Sequence, residues 1–133
     1  NLKGPFFLTQ ALASLLKKHR GAVVNISDIH ARQALANHPI YTIAKGGNIA
    51  MTKTMALEMA PEVRVNSVAP GAILWPEHEE DDIEKQQSVL KNVPMGRLGS
   101  ESDIADTVSF LAVGASYMTG QTIAVDGGSS TSL

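Results

Sequence analysis

The chain has 133 residues, of which 44% are hydrophobic and 18% charged, so it suits one globular domain with a core of its own and not a disordered tail. Its net charge of −2, from 11 basic and 13 acidic side chains without a basic stripe or polybasic cluster, argues against nucleic-acid and membrane-surface partners. With no cysteine, disulfides and thiolate metal sites are excluded, and the apolar runs fall far short of the roughly 20 residues of a membrane span, so a cytoplasmic protein is expected.

The opening "NLKGPFFLTQALASLLKK" reads as a helix already under way, without an initiating methionine, and we expect the chain to be the later part of a longer one. Phe7, Ala11, Leu12, Leu15 and Leu16 recur at helical spacing and predict one apolar stripe. The helix is expected to run to about Lys18, with Gly21 as its stop after a basic end that suits the helix dipole. "AVVNIS", residues 22–27, is β-branched and nearly all apolar, as for a strand buried on both faces. A polar loop follows from Asp28 to about His38, and Pro39 opens a second helix with Asn37 or His38 as its cap. That helix carries Tyr41 and Lys45 and ends at Pro61, and its small residues (Ala44, Gly46, Gly47, Ala50) favour close packing. "VRVNSVA", residues 63–69, predicts the next strand, followed by the loop "PGAILWPEHEEDD" and a polar helix near 82–91. Ser100 and Asp103 form a capping-box-like start for "ESDIADTVSFLAV", and "QTIAV" is the last strand, stopped by "DGG".

Alternating strands and helices predict an α/β fold with a parallel sheet. Ligands in such sheets bind at the carboxyl ends of the strands. The loops after Ser27 and after Ala69 leave from such ends, which places Asp28 and Pro70-Gly71 on one rim.

Tyr41 and Lys45 stand four residues apart on one helix, and Asp28 lies thirteen residues before the tyrosine. A tyrosine with its ordinary pKa near 10 is a sluggish acid at neutral pH. A lysine ammonium one turn away stabilises the phenolate and is expected to pull that pKa down. Such a tyrosine can deliver a proton to a substrate atom receiving a hydride. The Y-x-x-x-K spacing also arises on helices by chance, and an Asp after a strand commonly caps a turn.

Read together, "VVNIS", "YTIAKGG", "RVNSVAPGAI", "GRLGSESDIADTVSFLA" and "YMTGQTIAVDGG" resemble the second half of a short-chain dehydrogenase/reductase, over nearly the whole chain. The resemblance implies the later half of a Rossmann-like doubly wound parallel sheet, in a single partial domain over residues 1–133. It further implies that Tyr41 and Lys45 do the proton chemistry, and that Asn1, forty residues before the tyrosine, completes a relay to solvent. Pro70, Gly71, Ala72 and Ile73 would contact the nicotinamide carboxamide, with Ser27, Tyr41 and Lys45 also on the cofactor side. Most family members carry serine where this chain has Asp28. Aspartate there resembles the pteridine reductase branch, which implies NADPH as cofactor and a pteridine or folate as substrate. Asp28 would then assist by hydrogen bonding, Tyr41 would protonate a ring nitrogen, and Trp75 would wall the pocket mouth. A carboxyl group suits a substrate rich in N–H donors better than a hydroxyl does.

The family's glycine-rich phosphate loop is not in this sequence: "GG" at 46–47 sits within a helix and "DGG" follows the last strand. Apolar edges and weak cofactor binding are therefore expected of the chain alone. The acidic run "EHEEDD", residues 77–82, reads as a solvated stretch before a helix, not a metal site, and no metal is expected. His30 and His38 flank the site loop as surface or lid residues. By resemblance, the first helix and the Tyr41 helix would build a four-helix dimer interface and the last strand would complete a homotetramer. Two alternatives remain beside the pteridine reading: a general carbonyl or 3-oxoacyl thioester reductase in which Asp28 is a local substitution, and a non-catalytic fragment that binds partner subunits.

Overall fold

The computed structural model describes residues 1–75 and 82–131. Helix α1 spans Lys3–Lys18, strand β1 Ala22–Ile26, helix α2 Pro39–Met59 and strand β2 Arg64–Pro70. Helices α3 (Ile83–Lys91) and α4 (Glu101–Ser109) then precede strand β3 (Thr122–Val125). The strands form one parallel sheet in the order β1-β2-β3, with Val23 beside Val65 and Val68 beside Ile123. This is the α/β architecture that the strand–helix alternation predicts.

Side chains alternate across the sheet. Val23 and Val65 face Met51, Met55, Ala56 and Met59 of α2. Val24, Val68, Ile123 and Val125 face the other way, onto Leu111, Val108 and Ile104. Burial differs from expectation at β1. The strand sunk on both faces is β2, whose Val65, Asn66, Ser67 and Val68 are fully buried, whereas Ile26 of β1 is 45% exposed. β2 has a neighbour on each side and β1, among the described residues, on one.

Helix α1 also differs from expectation. Leu2, Thr9, Ala13 and Leu16 turn inward, while Phe7, Leu12 and Leu15 of the predicted stripe lie at the surface. The helix has two apolar faces, and the one with smaller residues lies against α2. There Gly47 admits Leu2, whose side chain would be 2.8 Å from a Cβ at that position. The stop after α1 is made by Arg20, not Gly21. Arg20 takes the left-handed conformation (φ 50°), its N–H donates to the Lys17 carbonyl, and the Gly21 N–H donates to the Leu16 carbonyl.

Polar latches fix the end of the chain against β2. Asn66, fully buried, donates to the Met118 carbonyl (2.8 Å) and accepts from the Gln121 N–H (3.0 Å). Arg64 donates to the carbonyls of Leu111 (2.6 Å) and Ala112 (2.7 Å), where α4 widens into a π turn over Phe110–Gly114. Ser100 and Asp103 close the expected capping box at the start of α4. The sequence pattern runs this helix to Val113; the wider turn accommodates Leu111, which is completely buried. Leu111→Ala should lower unfolding stability by about 2–5 kcal/mol, the range for a buried leucine. Denaturant unfolding measures it, and a loss below about 1 kcal/mol would mean Leu111 is not central to this core.

Candidate active site

β1 ends at Ile26, and the chain turns where it leaves the sheet. Ser27 is 2% exposed, its N–H donates to the Val68 carbonyl (2.7 Å) and its hydroxyl to the Lys45 carbonyl (3.2 Å). Asp28 follows in extended conformation and caps a single 3-10 turn, Ile29–Ala31. Its Oδ1 accepts from the His30 N–H at 2.8 Å, and its Oδ2 accepts from the Tyr41 hydroxyl at 2.6 Å. Both carboxylate oxygens are thus oriented by the protein. The cap of a turn and the partner of the tyrosine, two readings that compete at Asp28 in the sequence, are both true.

Lys45 lies one turn along α2 from Tyr41 and is 8% exposed. Its ammonium donates to the Ile26 carbonyl (3.0 Å) and stands 5.7 Å from the centre of the Tyr41 ring. The expected lowering of the tyrosine pKa is not found. Tyr41 is pushed up to about 12, first by burial, then by the hydrogen bond to Asp28 and by that carboxylate's charge. Lys45 lies over the ring face and bonds a main-chain carbonyl, so it does not offset an acceptor placed directly on the phenol oxygen.

Asp28 and Tyr41 line a cleft of about 810 Å³ at the carboxyl rim, with Gly71 and Ala72 in the same wall. The shared rim predicted from the loops is therefore present. Gly71 has a steric reason: a Cβ there would lie 2.7 Å from the Asp126 Cβ and 2.8 Å from its Cα, where β2 and β3 end together. Ile73 sits against Gly99, whose N–H donates to the Ala72 carbonyl (3.0 Å). The N–H groups of Ala72 and Ile73 have no partner among the described residues. Leu74, Val89 and Asn92 line the cleft from the loop and α3, and half-buried Trp75 is not among its lining residues. Sequence reasoning did not find Val89 and Asn92, because a polar nine-residue helix carries no mark of what it faces. Asn1 is not in this cleft; it lines a neighbouring groove with Lys45 and Asn48. The Asn48 side-chain oxygen is buried there without a partner among the described residues.

Residues 76–81, including most of the acidic run, lie outside the described residues. Asp82 caps α3, accepting from the Lys85 N–H.

The family profile described as Enoyl-(Acyl carrier protein) reductase matches residues 1–130. The chain belongs to the short-chain dehydrogenase/reductase family. It is 39% identical to 3-oxoacyl-(acyl-carrier-protein) reductase FabG of Thermotoga maritima over 131 residues, covering 96% of this chain and 53% of that protein. It is also 39% identical to human (3R)-3-hydroxyacyl-CoA dehydrogenase, covering 96% of this chain and 51% of that one. A solved Agrobacterium tumefaciens structure, provisionally assigned as a 2-deoxy-d-gluconate 3-dehydrogenase with bound NADP, superposes with a TM-score of 0.88 at 38% identity. That match covers 97% of this chain and 55% of the other. The chain thus spans about half the length of the relatives it matches, as expected for the later half of the family's fold. These relatives are named for acyl or sugar-acid chemistry and not for pteridines.

Because the folded state raises the Tyr41 pKa above its ordinary 10, the neutral phenol is the form that folding favours. Its contribution to stability is whole below pH 10 and is lost as pH rises through about 12. Asp28→Ala should bring the phenol's titration below that of the parent while leaving the part due to burial. Phenolate absorbance against pH reads this directly, and an unmoved titration would remove Asp28 as a cause.

Proposed function

We propose that the chain carries the proton-donating and nicotinamide-facing part of an oxidoreductase that reduces a carbonyl group, with Tyr41 as the proton donor. The observation that carries this reading is the 2.6 Å hydrogen bond joining Tyr41 to Asp28 in the wall of the rim cleft, with Lys45 beside the ring.

The residues fit the nicotinamide half of a dinucleotide. The N–H groups of Ala72 and Ile73, without a partner among the described residues, suit the carboxamide oxygen, alongside Pro70 and Gly71. Lys45 commits one ammonium hydrogen to Ile26 and keeps two for ribose hydroxyls, with Tyr41 and Ser27 on the same side. When bound, a reduced nicotinamide supplies the hydride that the carbonyl carbon receives. Tyr41 gives its proton to the carbonyl oxygen as negative charge develops there. A phenol held near pKa 12 is a weak acid, but an alkoxide is the stronger base, so the transfer runs downhill. The resulting phenolate faces the Asp28 carboxylate, which favours its prompt reprotonation. We assign that return path to Lys45 and Asn1, through the groove that also holds the unsatisfied Asn48 oxygen.

Two substrate classes are supported by separate observations. The names of the sequence relatives favour a 3-oxoacyl thioester. Asp28, doubly anchored by the His30 N–H and the Tyr41 hydroxyl, favours a pteridine or dihydrofolate, in which a ring carbon would take the hydride and Tyr41 would protonate the neighbouring ring nitrogen. NADPH is the proposed cofactor, in keeping with the NADP-bound neighbour, and a cytoplasmic setting belongs to the same proposal. No helix among the described residues is long and apolar enough to cross a membrane. A homotetramer built on α1 and α2 is supported by their exposed apolar side chains, among them Leu8 at 62%, Ile43 at 70% and Leu57 at 83%.

The deciding assay is NADPH oxidation with an acetoacetyl thioester and with dihydrobiopterin, for the parent, Tyr41→Phe and Asp28→Ser. Tyr41→Phe should cut kcat by roughly 10²–10⁴-fold on whichever substrate turns over; an undiminished kcat would mean the proton comes from elsewhere. Asp28→Ser should preserve thioester turnover under the first reading and abolish pterin turnover under the second. Light scattering of the purified protein should give four times the chain mass, and a monomer would overturn the assembly.

A further inference from the structure

The polar side chains of the cleft share a bias in how they are tied down. His30 lines the cleft, and its Nδ1 lies 3.3 Å from the Gln33 carbonyl. A carbonyl only accepts, so Nδ1 carries the hydrogen and Nε2 is an acceptor with no partner among the described residues. Gln33 directs its amide nitrogen to the Ser130 carbonyl (3.4 Å), and its side-chain oxygen has no partner among the described residues. Asn92, from the end of α3, does the same toward the Ser88 carbonyl (3.2 Å). The Tyr41 hydroxyl is turned to Asp28, the charged residue of this wall, and no lysine or arginine is among the cleft's described lining residues. Four side chains that line this cleft, Asp28, His30, Gln33 and Asn92, therefore each carry an acceptor atom.

We propose that His30, supported by Gln33 and Asn92, selects substrates carrying a hydrogen-bond donor, O–H or N–H, next to the carbon that is reduced. The inference rests on the carbonyl-reductase reading and refines it, since a plain 3-oxoacyl chain presents no such donor there. Position 30 is fixed for this role by main-chain geometry. The His30 N–H closes the turn on Asp28 Oδ1, so the imidazole stands two residues from the carboxylate that holds Tyr41. A donor beside the reacting carbon then meets Nε2 while the carbonyl oxygen faces Tyr41.

The test compares hydroxyacetone with butan-2-one, which differ by a hydroxyl in place of a methyl, and adds 6-methyl-7,8-dihydropterin, which has ring N–H groups and no hydroxyl, as the N–H source. The ratio of kcat/KM for hydroxyacetone over butan-2-one should be roughly three- to tenfold in the parent, the effect of one neutral hydrogen bond. His30→Leu should collapse it toward one, and His30→Gln, which keeps an acceptor, should restore part of it. A parent ratio near one, or a ratio that survives His30→Leu, overturns the inference while leaving carbonyl reduction intact. If no carbonyl compound turns over, the parent reading fails, and ¹⁵N NMR of the His30 imidazole decides this one separately. The Nε2 resonance should move with hydroxyacetone or 6-methyl-7,8-dihydropterin and stay put with butan-2-one. A response to the first alone assigns a hydroxyl source, a response to the second alone a ring N–H, and no response to either overturns the proposal.

Discussion

Every described layer of this chain leans on the central strand β2. It pairs on both edges in parallel, it is buried on both faces, and it carries polar side chains that water does not reach. Asn66 is tolerable at complete burial because both ends of its amide are satisfied by the segment leading into β3. Ser67 likewise donates to the Asn25 carbonyl of the neighbouring strand. The parallel register brings the ends of β1, β2 and β3 to one rim, and the cleft lined by Asp28 and Tyr41 opens there because the strands stop there.

Asp28 shows how one residue serves fold and site together. One carboxylate oxygen builds the turn that ends the strand and the other takes the tyrosine hydroxyl. The arrangement sets the acid strength of Tyr41 in the direction opposite to that expected from lysine proximity. A cation helps a phenolate in proportion to its closeness to the phenol oxygen, and here a carboxylate occupies that position. A hydroxyl in place of the Asp28 carboxylate would accept the tyrosine's hydrogen without adding charge.

Much of the fold was legible because its signals are local. β-Branched runs, helical spacing, the Pro39 start, the Ser100–Asp103 box and the glycines after Asp126 report on a few neighbouring residues each. The failures have one physical cause. Which apolar face of α1 turns inward depends on what packs against it, and the burial of β1 depends on strands beside it. The left-handed residue after α1 was assigned to Gly21, yet Arg20 takes that conformation. Of the residues lining the rim cleft, spacing marks Asp28 and Tyr41 and loop placement marks Gly71, whereas Ala72 rests on the family resemblance. His30 carries only a surface or lid reading in the sequence, and no local signal marks Asn92.

The sequence by itself determined the element order, the parallel α/β class and the residue types able to move a proton, because periodicity, caps and side-chain chemistry are properties of short stretches. Only the tertiary structure decided who touches whom. It put the Tyr41 hydroxyl on Asp28 instead of under Lys45, set Asn1 in a groove of its own beside Lys45, and brought α3 over the rim. Those contacts join residues distant in the chain, and their distances follow from packing around β2, which no local pattern encodes.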